Sequence, residues 1–391
     1  IALALMNRPI EALEQSFQRT KAHDLASYMK VAALQANSSN NTVFADSKGD
    51  IAFLVPQFVP KRDDRFDYTK PVDGADPTTD WQGPTPLAAL PHVINPATGW
   101  LFNSNNWPWS SAGPDSPKRE EYPRYLDQAG ENMRGLHATP LLSPANKLTP
   151  EALEALAFDS YLPGFARLVP DLVKAYDGTP ENDALKAKLK DQIALLRAWD
   201  FRWSDHSLAT TLAVNWGDTV WSKAFPAGHP PNVAGFDFIV GMSAHDKLQA
   251  LANSSDRLQK DFGTWRVTWG EFNRYQRVTD DIEPHFRDDW PSIPVPFVYS
   301  RWGSLASFAA KRQPGTRRYY GTAGNSFVAV VDFGPRIRAM AVITGGESGD
   351  PKSPHFNDQA LRYARGQLRA VYFYPDDLAG HVVRTYHPGT P

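Results

Sequence analysis

The chain has no cysteine among its 391 residues. That excludes disulfides, thiolate metal sites and a cysteine nucleophile within it. It is compatible with a periplasmic or secreted bacterial protein. No apolar run approaches the length of a membrane span. The apolar start from Ile1 to Met6 is short and has no basic leader, so it does not read as a signal peptide. Without an initiator Met, Ile1 reads as a cut or trimmed end. An excess of one charge is also missing: 41 Lys and Arg face 43 Asp and Glu, a net charge of −2. No nucleic-acid or membrane partner is expected from that balance.

Familiar catalytic signatures are missing too. There is no His-Glu-x-x-His motif and no Walker-type loop. The 10 histidines show no metal-ligand spacing. Gly346-Glu347-Ser348-Gly349 resembles a nucleophile elbow but lacks the final glycine at the right spacing, and reads as a turn. Asp63-Asp64 and Asp280-Asp281 read as solvated loop charges.

What the chain does have is aromatic and irregular. It is 42% hydrophobic and carries 12 Trp and 33 Pro, which suits a large fold with long ordered connections. Residues 9–34 carry helical spacing from Pro9 onward. Residues 42–46 and 51–55 read as a β-hairpin around Ser47-Lys48-Gly49-Asp50. Residues 56–98 read as a long ordered excursion. Thr149 and Pro150 open a helical block over 151–176, 181–200, 206–225 and 244–262. Residues 327–331 and 338–343 read as a second hairpin, and 358–371 as a helix. The expected division is 1–146, an α-rich insert at 147–263, and 264–391.

One stretch stands out: Gly99-Trp100-Leu101-Phe102-Asn103-Ser104-Asn105-Asn106-Trp107-Pro108-Trp109. It reads as a strand running into a turn. An asparagine is costly to bury unpaired. Such a cluster either caps turns, the common use, or donates to a developing oxyanion. Asn40-Asn41, Gly324-Asn325-Ser326 and His355-Phe356-Asn357-Asp358-Gln359 are further polar clusters at the ends of apolar segments. Gly324 allows close backbone approach.

Taken in order, four segments resemble the penicillin acylase family. Residues 41–53 resemble its hairpin motif N-x-x-Y-A-D-x-x-G-x-I-x-Y. Asn95-Pro96 through Pro108 is similar to its Asn-x-Asn motif. Residues 324–333 resemble its late strand. Residues 345–349 with 355–359 resemble its terminal G-x-S-G and H-(Y/F)-x-D-Q segments. The similarity is greatest to glutaryl-cephalosporin and acyl-homoserine-lactone acylases.

The resemblance implies an α+β fold, part of an αββα four-layer N-terminal-nucleophile hydrolase sandwich. Such proteins cut themselves from a precursor into a small and a large chain. The serine that opens the large chain attacks an amide carbonyl, and its own α-amine is the base. A free α-amine titrates at roughly 7.7–8.0, so it accepts the hydroxyl proton near neutrality. The family's side-chain oxyanion donor falls on Asn105. Asn325 falls where glutaryl-cephalosporin acylases have a glutamate that orients a histidine, and an amide polarises that histidine less. Asn40 replaces an apolar residue at the acyl pocket, and Asn41, Phe102 and Trp107 line or position the site. No cofactor and no metal are expected. The expected partners are the small chain, the front segment of the large chain and a small amide substrate. The nucleophile segment is not in these residues, so the chain alone is expected to be inactive. The competing expectation is a binding or scaffolding protein that keeps the fold.

Overall fold

The computed structural model describes residues 2–36, 40–127, 129–145, 147–387 and 389. Helices α1 (Pro9–Arg19) and α2 (Leu25–Ala32) open the chain. The expected single helix is broken by a turn at Thr20–Asp24. Asp24 starts the second helix with a reciprocal cap to Ser27. Strands β1 (Thr42–Ala45) and β2 (Ile51–Leu54) form the expected hairpin, and β3 (His92–Ile94) pairs antiparallel with β2.

A helical block follows: α3 (Met133–Leu142), α4 (Pro150–Ala157), α5 (Pro163–Asp177), α6 (Ala184–Lys188), α7 (Lys190–Arg197), α8 (Leu208–Ala224), α9 (Val233–Val240), α10 (Ala244–Phe262) and α11 (Trp269–Phe272). Thr149, Ser207 and Ser243 each cap a helix N-terminus with the hydroxyl. The apolar stripes meet in one core of Leu168, Leu172, Ile193, Leu212, Val220 and Leu251. Trp302 is fully buried in it, its ring stacked 4.6 Å from Phe165.

The chain then returns to sheet. β4 (Asn273–Tyr275), β5 (Ile293–Pro294), β6 (Phe308–Arg312) and β7 (Tyr319–Gly324) form one sheet in the order β5-β4-β7-β6. β8 (Phe327–Asp332) and β9 (Arg338–Ile343) form the second expected hairpin. The last expected helix is shorter than its pattern. α12 (Ala360–Ala364) stops at Gly366, whose φ is +64°, and β10 (Arg369–Val371) pairs with β9 instead. Val295, Phe297, Phe308, Val342 and Tyr363 are buried together in this half. The α+β architecture agrees with the expectation. Among the described residues no helix is long and apolar enough to cross a membrane.

Candidate active site around Asn105

The asparagine stretch is not a strand. β3 ends at Ile94, and residues 99–107 run as loop and bends. Gly99 has φ +74° and Asn105 φ +58°, a left-handed conformation that breaks extension and that Asn tolerates.

The three asparagines divide the two uses expected of them. Asn103 Oδ1 accepts from the Asn105 N–H at 3.1 Å, and Asn106 Oδ1 accepts from the Ser104 N–H at 3.0 Å. Both are local turn bonds. The Asn105 side chain instead leaves the loop. It is exposed, and its Oδ1 accepts from Arg134 Nη2 at 2.9 Å. A guanidinium only donates, so this bond holds the carbonyl end and, among the described residues, leaves Asn105 Nδ2 as an uncommitted donor.

Arg134 lies in the first turn of α3, and that helix end is stitched to the loop. Asn132 Oδ1 caps the Arg134 and Gly135 N–H groups, both at 3.0 Å, while Asn132 Nδ2 donates to Ser104 O at 3.0 Å. Glu131 gathers Asn106 Nδ2 at 3.0 Å, Trp107 Nε1 at 3.1 Å, Ser110 Oγ at 2.5 Å and the Asn132 N–H at 2.8 Å. Gly135 permits this approach: a Cβ there would stand 2.1 Å from Glu131 Oε1. Burial pushes the Arg134 guanidinium below its ordinary value, and the neighbouring Tyr299 hydroxyl opposes that shift.

Asn325 lies between β7 and β8. Its Oδ1 accepts from the Ser307 N–H at 2.6 Å and its N–H donates to Ser307 O at 2.9 Å. Among the described residues, Nδ2 is again the uncommitted end. Asn325 lines a cleft of about 610 Å³ with Tyr275, Phe308, Phe327, Ile343 and Tyr363. Gly324 is needed beside it, because its φ is +147° and a Cβ would lie 2.3 Å from Ser307 O. Burial pushes the Tyr363 hydroxyl far up.

Asn105 and Asn325 share no hydrogen bond, but one segment touches both neighbourhoods. Tyr299 interacts with Arg134, the adjacent Ser300 N–H donates to Ser307 Oγ at 3.0 Å, and Ser307 holds Asn325. The other expected site residues are more dispersed. Asn40 is exposed, and Asn41 Oδ1 accepts from Gln57 Nε2 at 2.6 Å. Phe102 is buried with its ring 6.2 Å from Trp100. Trp107 spends its indole N–H on Glu131 and lines a second cleft of about 460 Å³ with Phe66, Arg119 and Arg124. Among the described residues no group of three or more His, Asp or Glu could hold a metal ion.

The family model described as penicillin amidase matches residues 2–380. The chain belongs to the penicillin amidase family. It is 27% identical over 365 residues to the penicillin acylase 2 proenzyme of Pseudomonas sp. (strain SE83), covering 88% of this chain and 45% of that protein. It is 25% identical over 319 residues to the acyl-homoserine lactone acylase PvdQ of Pseudomonas fluorescens, covering 76% of this chain and 38% of the relative. The chain thus spans less than half the length of these penicillin amidase relatives. Its fold matches that of a thermostable penicillin G acylase from Alcaligenes faecalis with a TM-score of 0.60 at 17% identity, over 97% of this chain and 72% of that one. The N-terminal-nucleophile hydrolase fold expected from the motifs is therefore present.

Sequence reading missed Arg134, Glu131 and Asn132. Arg134 is 29 residues from Asn105, and only the helix cap brings it back. An Asn immediately before a helix start, Asn132 before Met133, was the available signal.

Proposed function

We propose that these residues form part of an acyl amide hydrolase in which Asn105 Nδ2 donates to the oxyanion of the tetrahedral intermediate. The observation that carries this reading is the Arg134–Asn105 bond, which commits the carbonyl end of the amide and leaves its N–H donors for a ligand. A donor held before the reaction costs no reorganisation when charge develops on the substrate oxygen. Family membership supports amide hydrolysis as the reaction class.

The nucleophile is an N-terminal serine on a segment outside these 391 residues, released by self-cleavage of a precursor, and the chain alone is inactive. That one relative is named a proenzyme supports processing. Asn325 faces a histidine of that segment through Nδ2. Because its Oδ1 already holds Ser307, it serves as a donor to a neutral imidazole rather than as a glutamate-like acceptor. The remaining chain also covers α1, where Ile10, Leu13 and Phe17 form an exposed apolar stripe. Asn40, Asn41, Phe102 and Trp107 shape the acyl side, and the protein works in the periplasm or outside the cell.

The test is to express the complete gene, sequence the N-termini of the mature chains and assay a panel of acyl p-nitroanilides and acyl-homoserine lactones. A mature chain that starts with serine and turns over an amide supports the reading. An unprocessed protein without turnover supports a scaffolding role.

A further inference from the structure

His137 sits one turn beyond Arg134 on α3 and is only 2% exposed. Its ring is held at both nitrogens. Nδ1 lies 2.8 Å from the Gly303 carbonyl oxygen, and Nε2 lies 2.9 Å from Asp159 Oδ1. A carbonyl oxygen only accepts, so Nδ1 carries a proton. Asp159 Oδ1 already accepts from the Tyr161 N–H at 3.0 Å and from Arg202 Nη1 at 3.2 Å. Burial pushes the Asp159 carboxyl up, but the bonds from Tyr161, His137 and Arg202 outweigh it and hold the group below its ordinary value. An ionised carboxylate only accepts, so the 2.9 Å contact is a hydrogen bond only with a proton on Nε2 as well. A neutral ring makes only one of the two bonds.

These bonds join three parts of the fold. Gly303 follows the turn Ser300–Trp302, against which α3 packs. Asp159 follows α4 and is also held by Arg202. Tyr161 covers the ring edge-on at 5.8 Å. Among the described residues the charged groups on this side of the imidazole are Asp159 and, behind it, Arg202, with the Tyr161 ring alongside. The register of α3 along its axis is fixed in the middle by His137 and at the N-terminus by Asn132. Arg134 lies between the two.

We propose that His137 is a positioning residue for the Asn105 site: as an imidazolium donating from both ring nitrogens, it holds α3 so that Arg134 meets the Asn105 carbonyl. This rests on the proposed oxyanion role for its effect on turnover, but not for the protonation state itself. It makes no contact with substrate. Its influence passes through Arg134.

The test has two parts, both on the complete mature protein. In the first, kcat and KM are measured for His137→Phe, Arg134→Met and the double variant, with His137→Gln in case the aromatic variant does not fold. His137→Phe is expected to lower kcat roughly tenfold to a hundredfold with KM nearly unchanged. It should lower kcat no further once Arg134 is gone. A loss that multiplies in the double variant, or an unchanged kcat in the single one, overturns the positioning role. In the second, protein labelled with 15N at histidine is examined by NMR at neutral pH, with the variant identifying the His137 signals. Both ring nitrogens are expected at protonated shifts. One bare nitrogen overturns the imidazolium assignment, even if the complete protein hydrolyses no amide and the proposed function fails.

Discussion

Arg134 decides which way Asn105 faces. Its Nη2 donates to Asn105 Oδ1 at 2.9 Å, and Asn105 holds a left-handed φ of +58° that turns its side chain out of the loop. Asn103 Oδ1 and Asn106 Oδ1 each accept from a backbone N–H, and Asn106 Nδ2 donates to Ser110 and Glu131, while among the described residues Asn103 Nδ2 is buried without a partner. Of the three, Asn105 alone has an exposed side chain, so it is the one a ligand can reach.

If that orientation matters, Arg134→Met in the complete protein lowers kcat by roughly tenfold or more while KM changes little. Combined with Asn105→Ala it adds almost nothing, because both changes remove the same donor. Steady-state kinetics of the two single variants and the double variant check this. Independent, multiplying losses count against it.

Glu131 is the structural hub of the same loop, and its removal acts on stability. Glu131→Gln places an NH2 group where only acceptors fit. Asn106 Nδ2, Trp107 Nε1 and Ser110 Oγ then compete for one oxygen. A cost of about 1–3 kcal/mol is expected for the donor left unpaired. Urea unfolding midpoints at equal m-value measure it.

Gly135→Ala tests the close approach of α3 to the loop. Alanine is the better helix former, so an exposed site would gain stability. Here the new methyl carbon meets Glu131 Oε1 at 2.1 Å and Asn106 Nδ2 at 2.9 Å. The expected result is a loss of about 1–3 kcal/mol, the usual cost of overpacking. A gain in stability shows that the loop is not held as described.

The parts of the fold that were legible in the sequence are those with local causes. The hairpins at Thr42–Leu54 and Phe327–Ile343 follow from alternation and turn residues, and α8 and α10 fall within the expected helical stretches. The asparagine stretch was misread because Trp100 and Phe102 alternate as in a strand, while the left-handed turns at Gly99 and Asn105 are not written in polarity. The helix expected over 358–371 was overextended because Arg369–Val371 pairs with β9, a tertiary choice. Asn105 and Asn325 were reached through ordered motifs. Arg134, Glu131 and His137 were not, since their partners lie across the chain, as far as 166 residues for His137 and Gly303.

Asp159 ties pH to stability. Its ordinary value is 3.8 and the folded value is lower, because bonds from Tyr161, His137 and Arg202 outweigh burial. The folded state therefore binds fewer protons there than the unfolded chain. Its contribution is complete above about pH 4 and is lost as pH falls through the folded value. Asp159→Asn should lower stability at neutral pH and flatten the acid limb of the stability curve. Denaturation midpoints from pH 2 to 7 give the comparison, and an unchanged acid limb contradicts the role given to this carboxylate.

The most direct test of the central claim is kcat for Asn105→Ala in the complete mature protein, alongside its unfolding midpoint. The account predicts turnover lower by roughly 10²–10³, as for removal of one oxyanion donor, in a protein that is still processed and folded. A variant that loses folding while keeping its turnover per folded molecule would show that Asn105 only builds the loop.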